Sequence, residues 1–245
     1  MTIEVGSTKK PVTEIACDAV VVGAGTNSGT FALSADASRI DAALNGYLSE
    51  YLSDIAYKGD LGSVVMVPSH NRLPAKTLVV AGLGGEERSK STYRRAAAAS
   101  IRRLSERTHV ASALHGSDAA AIAPSVEGFL LGSHQTPSQK RDPKPSKVSK
   151  LEIIDADPAE LKRGRVYAEA TLRARDLVNE PASVLDPQTL SDRAQAFADG
   201  AGLDCEVLGQ KELEKGGFGG LLAVARGSTA PPRLIRLRHR PRKAR

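Results

Sequence analysis

The chain has 245 residues, 41% of them hydrophobic and 25% charged, which is enough to bury a sizeable core and excludes a wholly disordered polypeptide. Aromatic residues make up only 4%, with no Trp, so any core must be built from Val, Leu, Ile and Ala. The net charge of +6 is concentrated in the last 13 residues, RLIRLRHRPRKAR, which hold seven Lys or Arg and no acid; the body is close to neutral and is not expected to bind nucleic acid.

The N-terminal segment MTIEVGSTKKPVTE has no apolar h-region, and no window approaches the roughly 18 apolar residues of a membrane span. Neither a secretory signal nor a membrane partner is predicted, and the expected location is the cytoplasm. Cys17 and Cys205 lie far apart without a CxxC pattern, which predicts two buried thiols in a reducing compartment.

In chain order, DAVVVGAG (18–25) predicts a strand entering a turn. From Ile40 the apolar positions Leu44, Tyr47, Leu48, Tyr51 and Ile55 fall at helical spacing, with Ser34, Asp36 and Ser38 as candidate caps. SVVMV (63–67) and TLVVAGLG (77–84) predict buried strands closed by Pro68 and Gly82. In 91–107, Tyr93, Ala97, Ile101 and Leu104 form one helical stripe, and HVASAL (109–114) predicts a weaker strand. Ile122, Val126, Phe129 and Leu130 mark another helix, with Pro124 tolerated in its first turn. The polar, proline-interrupted stretch 135–150 predicts an exposed loop, and LEII (151–154) a further strand. Strands alternating with helices argue for an α/β layered sheet.

Asp157-Pro158 with Glu160 predicts a capped helix start, followed by a stripe of Val166, Tyr167, Ala170, Ala174, Leu177 and Val178 and an end near Asn179, ahead of Pro181. Asp186-Pro187 repeats the start signal for a second helix, with Leu190, Ala194, Phe197 and Ala198 on its stripe and Gly200 and Gly202 as its stop. NEPASVLDP (179–187) is thus a stiff elbow between two helices. Beyond it, CEVL (205–208), LLAVA (221–225) and 233–239 predict strands, and QKELEK (210–215) a short helix. These elements cannot bury their own faces, which predicts the beginning of a sheet rather than a finished domain.

Residues with chemical potential compete with plainer roles. Gly23, Gly25 and Gly29 follow a strand, but their GxGxxxG spacing differs from the GxGxxG dinucleotide fingerprint and favours a strand-end turn. The histidines, 70, 109, 115, 134 and 239, form no HxxxH pair; His109 and His115 are expected to face solvent at the ends of their strand. Asp155 and Asp157 are better explained by capping than by paired acid–base chemistry. Arg94, Arg95, Arg102, Arg103 and Arg107 predict a solvated helical face, since no aromatics interleave for base stacking. Glycines 216, 217, 219 and 220 predict a turn, and no GxSxG elbow exists. Catalytic, metal-binding and cofactor-binding residues are therefore expected to be none within this chain.

ARDLVNEPASVLDP (174–187) and GGFGGLLAVARGSTAPPRLIRLRHRP (216–241) resemble the junction and glycine-rich segment of the leucyl (cytosol) aminopeptidase family of metallopeptidases, in the same order and at similar spacing. Ser183 stands where the family commonly has Asn, and Asp186 where Thr is common. The resemblance implies a macro-domain-like, three-layer α/β N-terminal domain (1–156), a linking helix (157–180) and the first strands and helices of an incomplete α/β peptidase domain (181–245). It implies that the full-length family removes N-terminal amino acids from peptides with two divalent metal ions (Mn or Zn), as a homo-hexamer. The family's metal motif, Gly-Lys-Gly followed by Asp-x-Gly-Gly, is expected just after the strand matching 233–239, so no cofactor is expected in this chain and it is expected to be inactive alone. The rival expectation is a free-standing macro-like module that binds nucleotide, ADP-ribose or nucleic acid.

Overall fold

The computed structural model describes residues 3–135 and 145–240; most of the predicted loop 135–150 and the end of the basic tail lie outside the described residues. The chain forms two compact units, Met1–Arg175 and Asp176–Arg245.

The first unit is built on a seven-stranded sheet. Its path runs β1 (Glu4–Thr8), β7 (Lys150–Ile154), β6 (His109–Ser112), β2 (Ala19–Asn27), β5 (Thr77–Gly84), β4 (Val64–Pro68), with β3 (Thr30–Leu33) paired to the end of β2. The pairs from β1 through β5 are parallel, and β4 and β3 are antiparallel. Buried parallel strands need apolar residues on both faces, and β2 and β5 read as continuous apolar runs for that reason. One face packs Val21, Val79, Ala81, Val110 and Ile153 under α3 (Lys90–Arg103) and α4 (Ile122–Ser133). The other packs Val20, Val22, Leu78 and Val80 under α1 (Ala35–Ala43) and α2 (Tyr47–Asp54). Helices on both faces of a mostly parallel sheet define a doubly wound α/β domain.

The predicted stripe of α3 is the buried one, with Tyr93, Ala97, Ile101 and Leu104 all in the core. α4 lies unusually close to it. A Cβ on Gly128 would stand 2.2 Å from the Arg94 carbonyl oxygen, and one on Gly132 would stand 2.7 Å from Ala98. Only glycine at both positions lets the two helices approach so closely.

The structure corrects several expected elements. The helix predicted across 40–55 is two helices, broken where Asn45 and Gly46 take φ of 55° and 83°. β1 and β3 are additional to the predicted strands. α5 (Pro158–Asn179) forms where expected, and Asp157 accepts from the Ala159 N–H at 2.8 Å. Its buried face, however, is Leu161, Gly164 and Ala168, whereas Val166, Tyr167, Ala170 and Ala174 of the predicted stripe are exposed.

The second unit holds α6 (Pro187–Ala201), β8 (Asp204–Leu208), α7 (Gln210–Lys215), α8 (Gly219–Ala225) and β9 (Leu234–Arg238). Asp186 caps α6 by accepting from Thr189 N–H at 2.7 Å, and Gly202 ends it in the left-handed conformation, as predicted. β8 and β9 form an antiparallel pair in which Cys205 faces Leu237 and Val207 faces Ile235. The segment 221–225, predicted as a strand, is helix α8: its Leu and Ala residues are good helix formers, and an all-apolar run carries no period to separate the two states.

Candidate functional site

In an open parallel α/β sheet, ligands bind beyond the C-terminal ends of the strands, near the point where strand order reverses. Here β2 is flanked by β5 on one side and β6 on the other, so a ligand site of this kind would lie beyond β2 and β6.

Gly23 and Gly25 lie within β2 itself. Ser28 and Gly29, with φ of 49° and 83°, form the tight turn of a β2–β3 hairpin. Two successive positive φ values are what a two-residue hairpin turn requires. The chain therefore returns as a strand instead of presenting amides to a phosphate at a helix N-terminus. This excludes the dinucleotide reading of the glycines and gives no support to a nucleotide-binding module.

The histidines do not converge. His115 follows β6 and is buried at 6% exposure, which corrects its expected solvent position; its Nδ1 has no hydrogen-bond partner. Burial pulls its pKa below the ordinary histidine value, against the opposing pull of Asp36, Asp155 and Asp118. Each of those acids is already engaged. Asp36 pairs with Arg39 at 2.7 Å, Asp155 pairs with Lys9 at 3.4 Å, and Asp118 caps the 3-10 turn Ala119–Ala121. His109 is also partly buried, with its Nε2 2.6 Å from Glu152 Oε2 across the β6–β7 pair. Burial raises the Glu152 pKa, but the bonds from Lys150 and His109 outweigh it and hold the carboxyl below its usual value. His70 sits in a turn with φ of 51°, His134 follows α4 and His239 follows β9. Nothing in the sequence signals the His109–Glu152 contact, because parallel register alone joins residues 43 apart.

The remaining candidates take structural roles. Arg94 pairs with Glu127 at 2.8 Å between α3 and α4, and Arg102 and Arg103 lie in the last turn of α3, where cations oppose the helix dipole. Cys17 and Cys205 are both free thiols; burial pushes the Cys17 thiol up to about 11, and Cys205 is only half-buried. Gly216 and Gly217 link α7 to α8. Ser183 is exposed, and the elbow is braced elsewhere: the Pro181 carbonyl accepts from Val184 and Leu185 N–H at 2.9 Å each, and Glu180 pairs with Arg193 at 2.7 Å.

Each unit has a cleft, and among the described residues neither cleft is lined by a reactive constellation. In the first unit about 600 Å³ opens between the end of α4 and α5, lined by Leu130, His134, Val148, Arg165, Glu169 and Leu172. In the second unit a cleft of about 600 Å³ lies between α6, β8 and α7. Arg233 spans its wall, donating to Gln188 Oε1 at 3.0 Å. Among the described residues, no three His, Cys, Asp or Glu gather closely enough to hold a metal ion. No helix among them is long and apolar enough to cross a membrane.

A doubly wound N-terminal unit, a proline elbow and a second α/β unit together define the architecture to be matched. Residues 21–143 match the model for the cytosol aminopeptidase family, N-terminal domain, and residues 172–245 match that for the cytosol aminopeptidase family, catalytic domain. The chain belongs to the cytosol aminopeptidase family. A probable cytosol aminopeptidase of Streptomyces coelicolor is 32% identical over 254 residues, covering 93% of this chain and 49% of its own length. The bottromycin maturation enzyme BotP, solved in complex with Mn, is 30% identical with a TM-score of 0.75, covering 93% of this chain and 46% of its own. A tomato leucine aminopeptidase mutant shares the fold with a TM-score of 0.83 at 23% identity, over 96% of this chain and 50% of its own. The chain thus spans about half the length of the curated relatives it matches. Divalent metal ions such as the Mn bound by BotP do not fit the described residues, which supply no ligand set for them.

Proposed function

We propose that residues 1–245 supply the N-terminal domain and the first part of the catalytic domain of a metal-dependent leucyl aminopeptidase, an enzyme that removes N-terminal amino acids from peptides. The observation that carries this reading is the succession of two models of one family along the chain, 21–143 and then 172–245. In this reading the metal and catalytic groups belong to the part of the catalytic domain that the 245 residues do not include. The first unit is a macro-like accessory domain, α5 is the linking helix, and the domains run 1–156, 157–180 and 181–245. Full-length protein assembles as a hexamer and works in the cytoplasm; relatives named for the cytosol support the location.

The test is hydrolysis of leucine amide by the purified chain in the presence of Mn²⁺ or Zn²⁺. No metal-dependent turnover is expected. Turnover that follows the chain through purification and disappears with a chelator would refute the reading.

A further inference from the structure

The path of the seven-stranded sheet ends at two strands, β4 and β1. β4 closes on Pro68, a residue that blunts an edge because it offers no N–H. β1 carries neither Pro nor Lys. On its inner side the Glu4 N–H donates to the Ser149 carbonyl at 2.8 Å, and the Thr8 carbonyl accepts from the Asp155 N–H at 2.8 Å. Backbone groups alternate in direction along a strand, so the N–H and C=O groups of Val5 and Ser7 point to the open side. That row is a template for one more strand.

A groove runs beside this edge. Ile3 and Val5 pack against the same core cluster as Leu161 of α5. Between β1 and α5 lies a cleft of about 510 Å³, lined by Val5, Leu161, Lys162 and Val166. It shares Arg165 and Glu169 with the cleft of about 600 Å³ at the end of α4, so the two continue one another along α5. Val166 stays 52% exposed on the wall of this groove.

The charge of the groove states what fits it. Lys162, Arg165 and Arg173 border it, and Glu169 is the one acid among its described lining residues. Glu169 offsets little of that charge: it stands 3.6 Å from Arg165 with both side chains about half-exposed, and such pairs are weak. A strand laid on β1 would send every second side chain toward α5, where apolar groups meet Val166 and carboxylates meet the cations. A small apolar anion would use the groove but leave the backbone groups of Val5 and Ser7 unanswered. An extended peptide answers the edge, the apolar wall and the charge together.

We propose that β1 and α5 form a docking groove for an extended peptide segment of another protein, one that adds to the sheet as a strand on the β1 edge and presents apolar and acidic side chains to α5. The proposal goes beyond the function proposed above and does not depend on it.

The test titrates the full 245-residue chain into a fluorescein-labelled, terminally blocked peptide, Thr-Val-Thr-Glu-Thr-Val-Thr-Glu, followed by anisotropy, with amide hydrogen exchange read on the complex. A Kd of about 100 μM or tighter is expected, with protection gained at Val5 and Ser7. Replacing both Glu of the peptide by Lys should weaken binding by about tenfold or more, because the cations then repel it. Two further analogues are N-methylated, one at the Thr amides and the other at the Val and Glu amides. Binding should survive in one and be lost in the other, since an added strand pairs through one edge only. Arg165→Glu should weaken the acidic peptide by about tenfold as well; the Arg165 side chain is 45% exposed, so the fold is retained, which far-UV circular dichroism verifies. No binding at about 1 mM, equal affinity for the Lys peptide, indifference to Arg165→Glu, the same outcome for both N-methylated analogues, or protection confined to other strands would each overturn the proposal. So would dimers of the chain alone in which Val5 and Ser7 are already protected, since a second copy would then be the occupant.

Discussion

Asp18 is the most heavily committed carboxylate in the first unit, and its removal offers a quantitative test of the sheet. It lies just ahead of β2, at the end of the sheet opposite the strand C-termini. Its Oδ1 accepts from Lys76 Nζ at 2.8 Å; Oδ2 accepts from Thr108 Oγ1 at 2.7 Å and from the Thr108 and His109 N–H groups at 3.1 Å each. One side chain thereby ties together the starts of β2, β5 and β6. Hydrogen bonds to a charged group contribute about 1.5–3 kcal/mol each in isolation, but the side chain keeps 19% of its exposure and the bonds share one charge. Asp18→Asn removes the charge and turns an NH₂ group toward donors, so a net loss of about 3 kcal/mol is expected. In a domain of this size that lowers the melting temperature by about 6–12 °C.

The pH dependence supplies an independent check. The bond from Lys76, followed by those from Thr108 and His109, holds the Asp18 carboxyl far below the usual carboxylate range. A depressed folded-state pKa contributes stability that is fully present above the unfolded value of about 3.9 and is lost as pH falls toward the folded value. The gap between wild type and Asp18→Asn should therefore be constant from about pH 7 to 5 and shrink by about 0.7 kcal/mol by about pH 3.5. Thermal melts across that range measure it. A variant that melts within about 2 °C of wild type at neutral pH, or a gap that does not shrink on acidification, would refute the reasoning.

His115 should act in the opposite pH range. Burial depresses its pKa despite Asp36, Asp155 and Asp118, so the unfolded chain takes up the proton first and stability falls as pH drops through about 6.5. His115→Leu should flatten the stability profile between about pH 7.5 and 5.5, one unit either side of that value, and an unchanged slope in urea titrations would count against the burial argument. The two thiols should separate cleanly under a thiol reagent in non-reducing buffer. Cys205 reacts in the native chain, whereas Cys17, held protonated by burial with its Sγ bonded to the Ala19 carbonyl at 3.3 Å, reacts only on unfolding. Equal rates for both, or no free thiol at all, would contradict this.

The elements that are legible in the sequence are those whose local signals agree with their packing. β2 and β5 are apolar at nearly every position because both faces are covered, and α3 carries a stripe that is also the buried one. Asp186-Pro187 and Gly202 mark the ends of α6 through cap geometry that tertiary contacts do not alter. Where the signals part, the structure follows the contact. β1 escapes prediction because EVGST is a half-exposed edge with a glycine at its centre, and β3 because TFAL is too short to show alternation.

α5 shows why periodicity can locate a helix and still misassign its face. Val166, Tyr167, Ala170 and Ala174 form the more apolar side, yet the packed side is Leu161, Gly164 and Ala168. A Cβ on Gly164 would stand 2.6 Å from the Ala123 carbonyl oxygen, so close approach to α4 selects small residues that hydrophobicity alone ranks low. The candidate site is illegible for a related reason. His109 and Glu152 meet through the register of two parallel strands, and His115 is buried by a loop fold that no spacing in the sequence encodes.

The second unit reverses this pattern. There Leu190 and Phe197 of the predicted α6 stripe are exposed, and so are Leu221 and Val224 of α8, a segment whose sequence reads as a strand. Hydrophobic periodicity reports the core for which a sequence is suited, and exposure reports how much of that core the chain supplies. In the first unit the two agree around α3 and the central strands. In the second they diverge on α6, where Leu190 and Phe197 of the apolar stripe stay exposed while the small residues Ser191 and Ala198 are buried.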